Sequence, residues 1–83
     1  MENFEKNCNL SELKIGQEAI VKNIRVTNRA VKRHLLDMGI TKGVKVKIKK
    51  IAPMGDPICI QLRGYELIIR KQDLQQIEAE IIL

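Results

Sequence analysis

Few side chains in this 83-residue chain are of a kind that does chemistry. There is one histidine, His34, and there are two cysteines, Cys8 and Cys59. Structural zinc sites gather cysteine and histidine at close spacing, as C-x-x-C or H-x-x-x-H. Neither spacing occurs here. His34, beside Arg33, reads as a surface or rim histidine, with metal ligation, alone or at a site shared between two copies, as the alternative. Cys59 has the opposite parity from Ile58 and Ile60, so it points away from the core they face. A reactive thiol needs nearby positive charge or a helix N-terminus, and the adjoining sequence offers neither. The two cysteines read as free thiols in a reducing compartment, with a disulfide between them as the alternative. Asp37, Asp56 and Asp73 fall at three separate turns or helix ends, and no two of them read as an acid–base couple. There is no nucleophile elbow, phosphate-binding loop or dinucleotide fingerprint. The expectation is a non-enzyme with no cofactor and no metal centre of its own.

What remains is charge. The net charge is +5, and it is concentrated in the middle of the chain. Residues 14–50 hold eleven bases and two acids, whereas the segments on either side are mildly acidic. Such a surface suits nucleic acid, an anionic membrane or an acidic protein. Lys45, Lys47 and Lys49 would suit phosphates, with Lys42 and Lys50 nearby. Single-strand binders stack bases on aromatic rings, however, and this chain has only Phe4 and Tyr65. The same shortage disfavours a groove for proline-rich peptides.

The elements that would position these residues are short. Residues 1–9 are polar and aperiodic and read as a flexible extension, leaving residues 10–83 as one domain. Leu10, Leu13 and Ile15 are placed to plug one end of a core, and Gly16 turns the chain. A first strand spans residues 18–26, with a change of apolar parity that predicts a bulge near Asn23. Thr27 or Asn28 can cap a helix in which Ala30, Val31, Leu35 and Met38 recur at helical spacing. Gly39 sits where a left-handed stop belongs, with Ile40 as its apolar contact, and Gly43 turns into the next strand. Valine and isoleucine alternate with lysine over residues 44–49. Gly55 and Gly64 mark the turns that follow, before strands over residues 58–63, from residue 67 and over residues 77–81. One helical turn precedes the last strand. The fold expected is mainly β, a small barrel of about five strands with one short helix between the first and second, closed to remove its edges. No apolar run approaches the ~18 residues of a membrane span. The first residues do not read as a secretory leader, so a cytoplasmic location is expected.

Several motifs in order carry a resemblance. Leu10-x-x-Leu13-x-x-Gly16 is followed, after a strand, by Arg33-x-Leu35-Leu36-Asp37-Met38-Gly39-Ile40-Thr41-x-Gly43-x-x-Val46. Gly55-Asp56-Pro57-Ile58 and Arg63-Gly64-Tyr65-x-Leu67 come next. Each is weak alone, but together they resemble the FeoA family over about residues 10–82. The resemblance implies an SH3-like β-barrel with a short helix, a module that also resembles the C-terminal domain of repressors related to the diphtheria toxin repressor. It implies a small bacterial accessory protein of ferrous iron uptake. The partner so implied is the FeoB membrane transporter with its GTP-binding domain, met on the cytosolic side. Neither GTP hydrolysis nor iron transport is implied for the chain itself. Lys42 stands where the family often has proline, and His34 where it often has a second arginine or leucine. The exposed side of the helix and the Gly39–Gly43 turn are the expected partner surface, formed by Arg33, His34, Asp37, Met38 and Lys42. Gly16, Gly39, Gly43, Gly55 and Gly64 are the expected structural residues. Direct transition-metal binding and a basic nucleic-acid-binding barrel are the alternatives.

Overall fold

A computed structural model of the chain describes residues 4–83, with side-chain surroundings from Asn7 onward. The strands β1 (Phe4–Asn9), β2 (Glu18–Ile24), β3 (Lys45–Ile51), β4 (Ile58–Leu62), β5 (Tyr65–Ile69) and β6 (Ile77–Ile82) form one antiparallel sheet. Their order is β1-β6-β2-β3-β4-β5. The helix α1 (Arg29–Asp37) joins β2 to β3, and the single-turn helix α2 (Lys71–Leu74) leads into β6. The fold is mainly β with one substantial helix, as expected.

Two expectations need correcting. The extension expected over residues 1–9 is a paired strand over Phe4–Asn9, and residues 1–3 lie outside the described residues. In β1, Asn7, Cys8 and Asn9 lie opposite Glu80, Ala79 and Glu78. An edge strand is held by its backbone on one side, so it needs no apolar periodicity to announce itself. Among the described residues the strand count therefore rises to six. Among the described residues the sheet is also not closed by strand pairing: β1 and β5 are its two ends. Curvature brings the apolar faces together, while the hydrogen-bonding edges stay apart.

Core positions follow the period-two pattern closely. Val46 and Ile48 on β3, Ile58, Ile60 and Leu62 on β4, and Ile77 and Ala79 on β6 are all buried. The shift of register between Val21 and Asn23 is the bulge predicted from the parity change. A second irregularity lies in β3 between Ile48 and Lys50. Leu10 and Leu13 plug the core, but Ile15 is 61% exposed, because Gly16 turns the chain before it can reach inward. Among the described residues no polar or charged side chain is buried. The basic middle of the chain is partly balanced across the β2–β6 pair, where Lys22 meets Glu80 at 3.8 Å and Arg25 meets Glu78 at 3.2 Å. Exposed pairs of this kind contribute about 0–1 kcal/mol each.

The turn between β3 and β4 contains a cis Asp56–Pro57 bond. Its Asp56 carboxylate accepts the backbone N–H of Lys71 at 2.8 Å. Arg70 provides no side-chain cap for α2, so Asp56 does this from fifteen residues away. Replacing Asp56 with Ala should cost about 1 kcal/mol of stability, as loss of a helix cap does. Asp56→Asn should retain most of it, measured by chemical denaturation.

Candidate functional site

The site is built around the end of α1. Asn28 starts the helix by accepting the Val31 N–H on its side chain at 3.1 Å. At the other end, Ile40 N–H reaches the Leu35 carbonyl and Gly39 N–H the Leu36 carbonyl, both at 3.0 Å. This is a Schellman stop with Gly39 in the left-handed region at φ +96°, and its apolar partners Leu35 and Ile40 are both buried. A Cβ at Gly39 would lie 2.9 Å from the Tyr65 hydroxyl and 3.6 Å from Arg63 Cδ. Tyr65 donates that hydroxyl to the Met38 carbonyl. The β5 hairpin is thereby tied to the helix end. Past it, Gly43 donates to Val21 at 2.8 Å while Val21 donates to Val44 at 3.0 Å, which stitches the next turn to β2.

The helix does not bury its whole apolar face. Ala30, Val31, His34, Leu35 and Met38 form one wall of an open groove of about 380 Å³. The other wall is Ile68, Ile69, Arg70 and Asp73, with Arg70 paired to Asp73 at 3.3 Å. Of the residues expected at a partner surface, His34 and Met38 line this groove. Arg33 and Asp37, one helical turn apart, are exposed. Lys42 is exposed on the following turn. Asp37 stands in the last turn of α1, where a negative charge opposes the helix dipole. Its placement is thus not explained by helix stability. All five glycines expected to be structural have positive φ.

The second wall was not anticipated. Its signal was present in Leu67-Ile68-Ile69, where Ile68 is apolar at a position whose parity should be polar. Ile68 is 73% exposed. It also borders a second apolar hollow of about 320 Å³, lined by Lys50, Ile51, Ala52, Pro53, Pro57 and Cys59. Cys59 faces Glu66 across the β4–β5 pair, with Sγ 3.7 Å from Oε1. Burial and then the Glu66 carboxylate push the Cys59 thiol up from its ordinary value, outweighing Lys50 and Lys49. Neither cysteine is in a disulfide, and among the described residues no three His, Cys, Asp or Glu side chains are grouped to hold a metal ion.

Fold and groove define a class: a small SH3-like domain with an open, largely apolar groove between its helix and β5. The FeoA domain family matches residues 8–81, and the chain belongs to that family. It is 34% identical over 74 residues to the Fe(2+) transport protein A/Fe(2+) transporter FeoB fusion protein of Porphyromonas gingivalis, a match covering 88% of this chain and 8% of that protein. The chain therefore spans a small fraction of that relative's length. The solution structure of a FeoA-like protein from Clostridium acetobutylicum superposes with a TM-score of 0.84 at 39% identity, covering 95% of this chain and 91% of that one. The zinc complex of Stenotrophomonas maltophilia FeoA, described as a prokaryotic SH3 domain protein, gives 0.75 at 26% identity, covering 86% and 87%. The IdeR protein of T. acidophilum shares the fold alone, with a TM-score of 0.81 at 17% identity over 95% of this chain and 37% of that one. No helix is long and apolar enough to cross a membrane among the described residues.

Two outcomes follow from this geometry. Gly39→Ala should lose about 1–2 kcal/mol from its left-handed backbone and more from the contact with Tyr65. Gly16→Ala, with open space around its Cβ position, should lose only the backbone part. Denaturation midpoints will separate the two. Alkylation of Cys59 by iodoacetamide near neutral pH should be slow, because the raised thiol pKa leaves less thiolate. Glu66→Gln should speed it, and an unchanged rate would show that the carboxylate does not govern the thiol.

Proposed function

We propose that this chain is a cytoplasmic accessory protein of bacterial ferrous iron uptake. It acts by binding the cytosolic side of a FeoB-type membrane transporter, including its GTP-binding domain. The observation that carries this reading is the Porphyromonas gingivalis relative, in which a segment similar to this chain shares one polypeptide with a FeoB transporter. Fusion of two functions in one chain supports their acting together when they are separate. The groove is consistent with this role: it is open and lined mainly by apolar side chains, as a docking surface is.

The surface proposed for the contact is the end of α1 and the turn after it. Arg33, Asp37 and Lys42 present charge, while His34 and Met38 lead into the groove. Rim charges of this sort steer and orient encounter. The double charge reversal Arg33→Glu with Lys42→Glu should weaken co-purification with the transporter by about tenfold, equivalent to roughly 1.4 kcal/mol. Both residues are exposed, so thermal stability should be unchanged. Undiminished association would show that the contact lies elsewhere on the domain.

A further inference from the structure

We infer that the outer edge of β5 accepts an extended, acidic segment of a partner polypeptide as an added strand. Apolar side chains of that segment would rest on Ile68 and in the groove beneath α1. This deepens the docking role proposed above and rests on that role for the existence of a partner.

The backbone is the first argument. β5 ends the sheet, so one of its edges pairs with no strand among the described residues. Its hairpin with β4 turns through Arg63 at φ +51° and Gly64 at φ +85°, both left-handed, as a two-residue primed turn requires. Leu62 and Tyr65 close that turn, so the hydrogen-bonded pairs are Leu62–Tyr65, Ile60–Leu67 and Ile58–Ile69. The backbone N–H and C=O groups of Glu66 and Ile68 then point away from β4, toward the open edge.

The side chains are the second argument. Natural edge strands are commonly protected by lysine, proline or inward charge. The single charge within Tyr65–Ile69 is Glu66, which is turned toward Cys59 on β4. Ile68 instead stands 73% exposed between the two apolar hollows. An added strand places alternate side chains on the two faces of the sheet. Apolar hollows lie on each side of Ile68 to receive them.

Charge selects the occupant. Arg63 stands at one end of the edge, and Lys71 at the other beside Arg70, which is paired with Asp73. The facing helix carries Arg29, Lys32 and Arg33 against one acid, Asp37. Carboxylates interspersed among apolar residues complement this surround, whose bases outnumber the acids Asp37, Glu66 and Asp73. A second copy of this chain would bring the same cations, and a net charge of +5, to the same edge. Self-pairing is therefore opposed.

The test uses the full chain labelled with ¹⁵N and a short peptide with a central run of valines, apolar on both faces of a strand, flanked by glutamates. Binding should shift the amides of Glu66 and Ile68 and protect them from hydrogen exchange. Ile68→Pro removes an outward N–H without taking a bond from the β4 ladder, and it should weaken binding at least about tenfold. Ile68→Asp, at an exposed position, should do the same by repulsion and lost apolar contact. The lysine–valine counterpart, and the acidic peptide N-methylated at alternate residues, should bind at least as poorly. Equal binding by either control peptide would overturn the inference, as would shifts confined to other strands or a dimer formed through β5 without peptide. Peptide docking with no transporter association would sink the transporter assignment alone. Transporter association with no peptide docking would sink the strand-addition mode alone.

Discussion

Ile40 donates to Leu35, and Gly39 to Leu36, across a residue held at φ +96°. That short crossing of hydrogen bonds satisfies carbonyls that the end of α1 would otherwise leave open. It also reverses the chain so that Leu35 and Ile40 bury together. Nine residues of helix are too few to persist alone in water. The helix exists because this stop and its apolar pair hold it on the sheet. Tyr65 and Arg63 then close over the site where a Cβ would be, which couples β5 to the helix end. Helix position, groove width and the placing of β5 all depend on one residue having no side chain.

The groove follows from how little of the helix this arrangement buries. Leu35 is the one fully buried residue of α1, with Val31 and Met38 packed partly against the core. A helix anchored at so few points stands slightly off the sheet, and the gap is lined by the remainder of its apolar stripe. An open sheet contributes the rest. Had β1 and β5 paired into a closed barrel, Ile68 would have faced a neighbour rather than solvent. Unfilled apolar surface and an unpaired edge meet at one place, under a cationic rim. That coincidence suits the accessory role proposed for the chain.

Much of this was legible from residue types and spacing. Alternating Val46 and Ile48 announced β3, the parity change near Asn23 announced a bulge, and Gly39-Ile40 after Leu35 announced the stop. Each is a local rule: a strand repeats every two residues, a left-handed stop favours glycine, and an apolar pair seals it. The ordered motifs also identified the family, because they specify those same turns. β1 was missed because its pairing is made by backbone groups that every sequence possesses. The second wall of the groove was missed because Ile68, Arg70 and His34 are neighbours only in space.

Residue types and their spacing thus dictated the elements from β2 onward, most of the core-facing residues, the excess of positive charge and the FeoA family. Periodicity, turn chemistry and charge are properties of neighbouring residues, so they are readable along a line. Tertiary structure decided that the sheet stays open, that Asp56 caps a helix fifteen residues away, and that Tyr65 locks onto Met38. It also decided that half of the helix stripe faces a groove instead of a core. These outcomes depend on how far a curved sheet turns and where a short helix lands on it. That is settled by packing all elements at once, and no local pattern records it.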